Sequence, residues 1–333
     1  LGAIYLRLTK NHSSRIPIIK CLNDADIIID VSGDTFSSDY GKASIFSIGA
    51  RIISAKMLRK PVVLYCQSIG PFRGLIDRLF AKLFLKLVDL IIVREFITAN
   101  YLRRLGVHAY VCADPAFLLE PSPNAIVSQI PSSHKGPVIG INLSQYIDSL
   151  CGGDNPANKY RMIMSQLIDA LIERYKAHIL IIPEVKGQKP NSYDDYYVSR
   201  RIVDLLKHKE HVTIVAGDYS PSELKAIVGQ CDILISPRFH LVIFALSQCV
   251  PAIAIAYSHK AYGIMDMLGQ SEYVLSYEDL SLEQLMEKVE KLWVDKACAK
   301  VRQELKIRTN EIRKRALNAG RLVRLLLKQK GKL

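Results

Sequence analysis

The chain has 333 residues, 49% of them hydrophobic and 23% charged, with a formal net charge of +13. That length suits two domains of roughly 100–200 residues each, and the apolar share can fill real cores, which excludes a disordered chain. No apolar run approaches the roughly 18 residues of a membrane span, no leader pattern opens the chain, and seven cysteines stand singly with no CxxC pair; these exclude a transmembrane protein, a disulfide framework and a zinc site, and point to a reducing cytoplasm.

The first residues, LGAIYLRLTK, lack Met and read as the interior of a helix or strand, so a start before Leu1 is expected. Then DIIIDVSG (26–33), PVVLYC (61–66) and DLIIV (89–93) are continuous apolar runs bounded by Gly, Pro or charged residues, the pattern of strands buried on both faces of a parallel sheet. Between them, 43–58 and 74–88 repeat apolar residues every three or four positions, which predicts helices. Alternation of this kind predicts an α/β layer with right-handed crossovers.

After DPAFLLEPSP (114–123) comes a polar stretch rich in Pro and Gly, expected to be a linker over 126–136. The alternation restarts with strands predicted at 138–144, 177–183, 211–217, 232–237 and 252–257, and helices at 161–176, 194–208, 220–229 and 241–248. The expected architecture is therefore two doubly wound Rossmann-like domains, 1–125 and 137–295, facing each other across a cleft. No GxGxxG follows any strand, so the dinucleotide fingerprint is missing.

From Lys296 to Leu333 there are 13 Lys or Arg against Glu304 and Glu311. No aromatic residue is interleaved with them, which argues against nucleic acid as a partner. Val301, Leu305, Ile312, Leu317, Leu322 and Leu326 recur at near-helical spacing. An amphipathic helix over 296–333, docked on the body with a basic outer face, is expected, with contact to an anionic membrane as its further use.

Ligands of open α/β sheets bind beyond the carboxyl ends of the strands. The first strand ends in Ser32, Gly33, Asp34 and Thr35, the second in Gln67, Ser68, Ile69, Gly70 and Pro71, and the third in Arg94. In the second domain DILIS is followed by Arg238 and His240, and AIAIAY by Ser258, His259 and Lys260. Cations gathered at one edge beside helix N-termini predict an anionic small molecule, a carboxylate or a phosphate, held by Arg94, Arg238 and Lys260. His240 is the side chain of this group suited to proton transfer near neutral pH. No spacing suggests a metal, and the adjacent Asp194 and Asp195 are expected to cap or lead a helix rather than chelate.

In order and spacing, VVLYCQSIGPF (62–72), VDLIIVREFITANYLRRLGV (88–107), ADPAFLLE (113–120) and DILISPRFHLVIFALSQCVPAIAIAYSHKAYGIMDMLG (232–269) resemble the polysaccharide pyruvyl transferase family. The resemblance covers roughly residues 24–270. It implies a GT-B-like fold and transfer of the pyruvyl skeleton of phosphoenolpyruvate to two hydroxyls of a sugar, leaving a pyruvate ketal and inorganic phosphate. It further implies that Arg238 and Lys260 hold the donor's carboxylate and phosphate, that His240 is the general acid, and that Arg94 is a donor arginine from the first domain. Many members carry a run of glycines after the first strand, where this chain has VSGDTFSSDYG with Gly33 in place; Gly33, Asp34, Gln67 and Ser68 are the candidates for the acceptor side or cleft.

The expected partners are phosphoenolpyruvate as substrate, with no cofactor, and a sugar acceptor on a polysaccharide or its lipid-linked precursor at the cytoplasmic membrane face. A GT-B glycosyltransferase using a nucleotide sugar and a non-catalytic subunit of a polysaccharide assembly complex are the alternatives. Arg238 and Lys260 are expected to disfavour the imidazolium of His240 until an anionic donor arrives.

Overall fold

The computed structural model describes residues 17–123, 134–155, 157–187, 193–293 and 297–332. The expected linker 126–136 and the opening LGAIYLRLTK lie wholly or mostly outside these. The chain divides into two compact units, Leu1–Pro115 with Ile312–Leu333 (unit 1) and Ala116–Glu311 (unit 2).

Unit 1 contains, among the described residues, a sheet of β1 (Ile28–Asp30), β2 (Val62–Gln67), β3 (Leu90–Val93) and β4 (Tyr110–Val111), paired in that order and all parallel. Before β1 lies α1 (Pro17–Asp24). The crossovers are α2 (Lys42–Met57), α3 (Leu75–Leu85) and α4 (Phe96–Arg104). β1 is shorter than the apolar run that predicts it because the Asp30 carboxylate accepts the Ser32 N–H at 2.9 Å and turns the chain out of the sheet. One face of β2 and β3 sends Leu64 and Val93 against Ile45, Ile48 and Phe84 of α2 and α3. At Gly49 the two helices come so close that a Cβ would stand 2.2 Å from the Phe84 ring.

The other face of that sheet, with Val63, Leu90 and Ile92, is covered by Ala319 and Leu326 of the long terminal helix, α12 (Ala297–Gln329). Its stripe of Val301, Leu305, Ile312, Ala316 and Ala319 is buried, as a 3.6-residue period with alternating three- and four-residue steps requires. Residues up to 311 belong to unit 2 and later ones to unit 1. Charged residues fasten it at both ends: Arg302 donates to the Asp232 carbonyl at 2.9 Å, and Lys330 pairs with Asp89 at 3.0 Å.

Unit 2 is built, among the described residues, on β5 (Val138–Ile141), β6 (His178–Ile181), β7 (Val212–Ile214), β8 (Ile233–Ser236), β9 (Ala252–Ala256) and β10 (Val274–Ser276). Their order is β10-β9-β8-β5-β6-β7, all parallel. The winding reverses between β5 and β8, which makes the carboxyl ends of those two strands the switch point where such sheets bind ligands. The helices are α5 (Gln145–Leu150), α6 (Lys159–Tyr175), α7 (Asp195–Val203), α8 (Pro221–Val228), α9 (Phe239–Ser247), α10 (His259–Met267) and α11 (Leu282–Trp293). α9 begins two residues earlier than its apolar run predicts, and Lys260 stands in the first turn of α10.

Candidate active site

At the switch point β8 ends in Ser236, whose hydroxyl accepts the Arg238 N–H at 3.0 Å and turns the chain into α9. This places Arg238 at the helix cap and its side chain beside the carboxyl end of β5. The guanidinium forks onto Asp195, with Nε donating to Oδ2 at 2.9 Å and Nη2 to Oδ1 at 2.6 Å. Asp195 is fully buried at the start of α7 and also accepts the N–H groups of Val185 at 3.2 Å and Gln145 at 3.3 Å. Burial works against the charge on Arg238, but the Asp195 bonds and charge, with Glu184 and Tyr257 adding, outweigh it and raise its pKa. Arg238 is a fixed cation whose direction is set by a buried acid.

His240, in the first turn of α9, has a half-exposed side chain. Its Nδ1 lies 3.5 Å from Oε1 of Glu184, the residue that closes the β6 run IIPE. Lys260 is buried, with Nζ 5.7 Å from the Phe239 ring centre and 5.2 Å from that of Tyr257. The Phe239 ring meets the His240 ring edge-on at 5.4 Å, so the ammonium and the imidazole both lie near one aromatic side chain. Tyr257 stacks edge-on with Tyr146 at 5.2 Å, and Tyr146 with Tyr193 at 5.4 Å, which walls this edge with rings.

Two further observations mark the edge. Asn142 Oδ1 and Ser144 Oγ, at the end of β5 and fully buried, have no hydrogen-bond partner among the described residues, and Ser258 Oγ at the end of β9 has none either. Buried polar atoms in this condition normally meet a water or a ligand, since leaving one unmet costs about 1–3 kcal/mol. The cap residues of α9 and α10, Arg238 and Ser258, make no side-chain bond to the first-turn N–H groups. Two positive helix ends therefore add to the two cations at one edge.

The structure brings Arg238, His240 and Lys260 together in unit 2, and it places Arg94, Gly33, Asp34, Gln67 and Ser68 in unit 1. Arg94, at the end of β3, is buried. Its Nε donates to Ser68 Oγ and its Nη1 pairs with Asp114 Oδ2, both at 2.8 Å. Gln67, also buried, donates from its amide to the carbonyl and carboxylate of Asp30, each at 2.8 Å. Gly33, with φ of +79°, has its carbonyl bonded by the Ser68 N–H at 2.9 Å, and Asp34 is half-buried beside it. The strand-end residues of unit 1 thus form a network around Asp30 and Asp114.

Sequence reasoning missed Glu184, Asn142 and Ser144. Glu184 was reachable by reading the end of β6 with the same rule applied to β3 and β8. Asn142 and Ser144 were hidden because VIGINLS reads as one strand, whereas β5 stops at Ile141. Of the adjacent acids, Asp194 caps α7 by accepting the Tyr196 N–H at 2.9 Å, and Asp195 does more than lead the helix.

Two parallel α/β units, the second doubly wound with cations, helix N-termini and unmet polar atoms at its switch point and the first running β1 to β4 in sequence order among the described residues, define an α/β protein of GT-B type with an anion-seeking edge. Solved structures agree on the fold. A putative UDP-N-acetylglucosamine 2-epimerase from Listeria monocytogenes aligns with TM-score 0.64 at 9% identity over 95% of this chain and 79% of its own. Anabaena HepE, in complex with UDP and glucose, aligns with TM-score 0.58 at 12% identity over 94% and 80%. The profile of the polysaccharide pyruvyl transferase family matches residues 3–259, and the chain belongs to that family of transferases. It is 25% identical over 279 residues to the amylovoran biosynthesis protein AmsJ of Erwinia amylovora, covering 80% of this chain and spanning 65% of AmsJ.

Proposed function

We propose that the protein transfers the pyruvyl skeleton of phosphoenolpyruvate to two hydroxyls of one sugar in a polysaccharide or its lipid-linked precursor, forming a pyruvate ketal and releasing phosphate. The observation that carries this reading is the convergence of Arg238, Lys260 and His240 on the switch-point edge of unit 2, with Glu184 against the imidazole. Family membership and the relation to a protein of amylovoran biosynthesis support the class of acceptor.

Phosphoenolpyruvate becomes electrophilic when its methylene carbon is protonated. His240 delivers that proton, positive charge builds at C2, and a sugar hydroxyl attacks C2, passing its own proton to the now neutral imidazole. The resulting tetrahedral carbon carries methyl, carboxylate, phosphate and the sugar oxygen. Loss of phosphate and attack by the second hydroxyl, whose proton goes to the departing phosphate, close the ketal. Arg238, held in one orientation by Asp195, presents its remaining N–H groups to the donor's carboxylate, and Lys260 neutralises phosphate as it leaves.

Glu184 changes the electrostatics expected from the sequence. A carboxylate 3.5 Å from Nδ1 favours the imidazolium, and Asp195 offsets the charge of Arg238 that would oppose it. Glu184 therefore acts on His240 in the same direction as an incoming donor anion.

No described helix is long and apolar enough to cross a membrane. Phosphate release from phosphoenolpyruvate, followed by phosphorus NMR with a lipid-diphosphate-linked oligosaccharide as acceptor, tests the proposal. The wild-type chain should release phosphate only with acceptor present, and His240→Gln should bind donor and release none. Phosphate release by H240Q at the wild-type rate, or turnover of a nucleotide sugar in place of phosphoenolpyruvate, would overturn it.

A further inference from the structure

Helix α3 is apolar on two faces. Asp77, Ala81, Phe84 and Leu85 turn inward and are buried. On the opposite side Leu75, Ile76, Leu79 and Leu83 are 84%, 58%, 57% and 50% exposed. Phe46 of α2, 41% exposed and edge-on to Phe80 at 5.1 Å, extends this surface beyond the helix. Single exposed leucines are ordinary, but five large apolar side chains side by side mark a surface that something covers.

The charges beside this surface say what covers it. Leu75, Leu79 and Leu83 recur every four residues and so form one row along the helix; Arg78, Lys82 and Lys86 recur at the same spacing and form the adjoining row. Arg73 precedes the helix, and Arg103 and Arg104, both exposed, end α4, whose following Gly106 lies beside the Lys82 ammonium. The acid of α3, Asp77, is buried and accepts a hydrogen bond from Ser38 at 2.7 Å, so it answers none of these cations; Asp39 pairs with Arg73 at 2.8 Å. A second copy docked symmetrically on the patch would bring two basic rows together with no exposed acid of α3 between them. An apolar row beside a basic row is the arrangement of a helix that lies in a bilayer interface, leucines among acyl chains and cations at anionic headgroups.

We propose that α3, with Phe46, seats unit 1 on an anionic lipid bilayer. The terminal helix α12 is less suited to this: its apolar stripe is buried on the body of the protein, and its exposed Ile307, Leu317 and Leu325 stand singly, eight or more residues apart, rather than in a row beside cations. The proposal stands apart from the ketal-forming reaction, because vesicle binding is read without turnover.

Co-sedimentation of the full chain with vesicles of phosphatidylcholine, with and without phosphatidylglycerol, tests it. The wild-type chain should pellet with the phosphatidylglycerol vesicles. Leu75→Glu with Leu79→Glu should remain in the supernatant; both positions are exposed, and an acid at 75, in the first turn, suits the helix dipole, so the fold is kept. Lys82→Glu with Lys86→Glu should weaken binding at least about tenfold, in line with the pull of two surface cations, and Arg324→Glu with Lys328→Glu on α12 should weaken it less. A wild-type chain that ignores anionic vesicles, an L75E/L79E chain that binds as well as wild type, or release by the α12 variant alone overturns the proposal. So does a wild-type dimer in sedimentation velocity that L75E/L79E converts to monomer, which would give the patch to a second copy.

Discussion

Asp195→Asn probes the buried fork on which the donor-site geometry depends. The two oxygens of Asp195 collect six N–H groups: Oδ1 takes Arg238 Nη2 at 2.6 Å and Gln145 N at 3.3 Å, while Oδ2 takes Arg238 Nε at 2.9 Å, Val185 N at 3.2 Å, and Glu184 N and Asn142 Nδ2 at 3.4 Å. Asparagine has one oxygen. Turned the better way, it keeps the four donors on the Oδ2 side and faces Arg238 Nη2 and Gln145 N with an amide group that can only donate. An unmet buried donor alone costs about 1–3 kcal/mol, and removing one partner of a buried ion pair costs about 3–5 kcal/mol, so a loss in the latter range is expected. Trp293, the sole tryptophan of the chain, packs on Tyr175 at 5.4 Å within unit 2, so its fluorescence in a denaturant titration reads the unfolding of that unit. In a cycle with Arg238→Ala the double variant should lose less than the two single losses combined, by about 0.5–3 kcal/mol. A D195N chain within about 0.5 kcal/mol of wild type, the range of an ordinary surface change, or an additive cycle, would refute the fork as a buried, coupled pair.

Three other outcomes are expected. Glu184→Gln removes the carboxylate that favours the imidazolium of His240, so the basic limb of the pH–rate profile should move to lower pH; an unmoved limb would exclude this role. Burial raises the pKa of Asp89, but its bonds from Lys56 at 2.7 Å and the Val62 N–H at 2.9 Å, and the pair with Lys330, outweigh it and hold the pKa below its ordinary value. That stabilisation is present above about pH 4 and lost as the pH falls through the lowered value, so the melting temperature of Asp89→Asn should lie below wild type at neutral pH and converge on it in acid. Gly49→Ala puts a methyl group 2.2 Å from Phe84 and should cost about 1–3 kcal/mol as α2 and α3 are forced apart, measured by thermal unfolding.

The strands that carry the candidate site were legible because a strand buried on both faces needs an unbroken apolar run, and VVLYC, DLIIV, DILIS and AIAIA supply it. Arg238, His240 and Lys260 were legible for the same reason: a charged residue right after such a run must sit at the sheet edge. What surrounds them was not. Asp195 lies 43 residues before Arg238, and no local period announces a pairing between the start of α7 and the end of β8. Glu184 follows β6, but its basic neighbour in sequence, Lys186, pairs with Asp218, and nothing local points to His240. The helical spacing of 74–88 predicted α3 correctly yet could not say which of its two apolar faces the core would take. The shared membership of α12, divided between the units at residue 311, is likewise invisible in a uniform basic stripe.

The central claim is that the edge formed by the ends of β8 and β9 in unit 2 holds the donor anion. Calorimetric titration of phosphoenolpyruvate into the full chain tests it most directly. One molecule should bind per chain, Arg238→Lys and Lys260→Met should each weaken binding by about 10–100-fold, the size of a lost charge-assisted hydrogen bond, and His240→Gln should bind nearly as well as wild type. Phosphoenolpyruvate binding left intact in both R238K and K260M, or heat released by a nucleotide sugar and none by phosphoenolpyruvate, would contradict it.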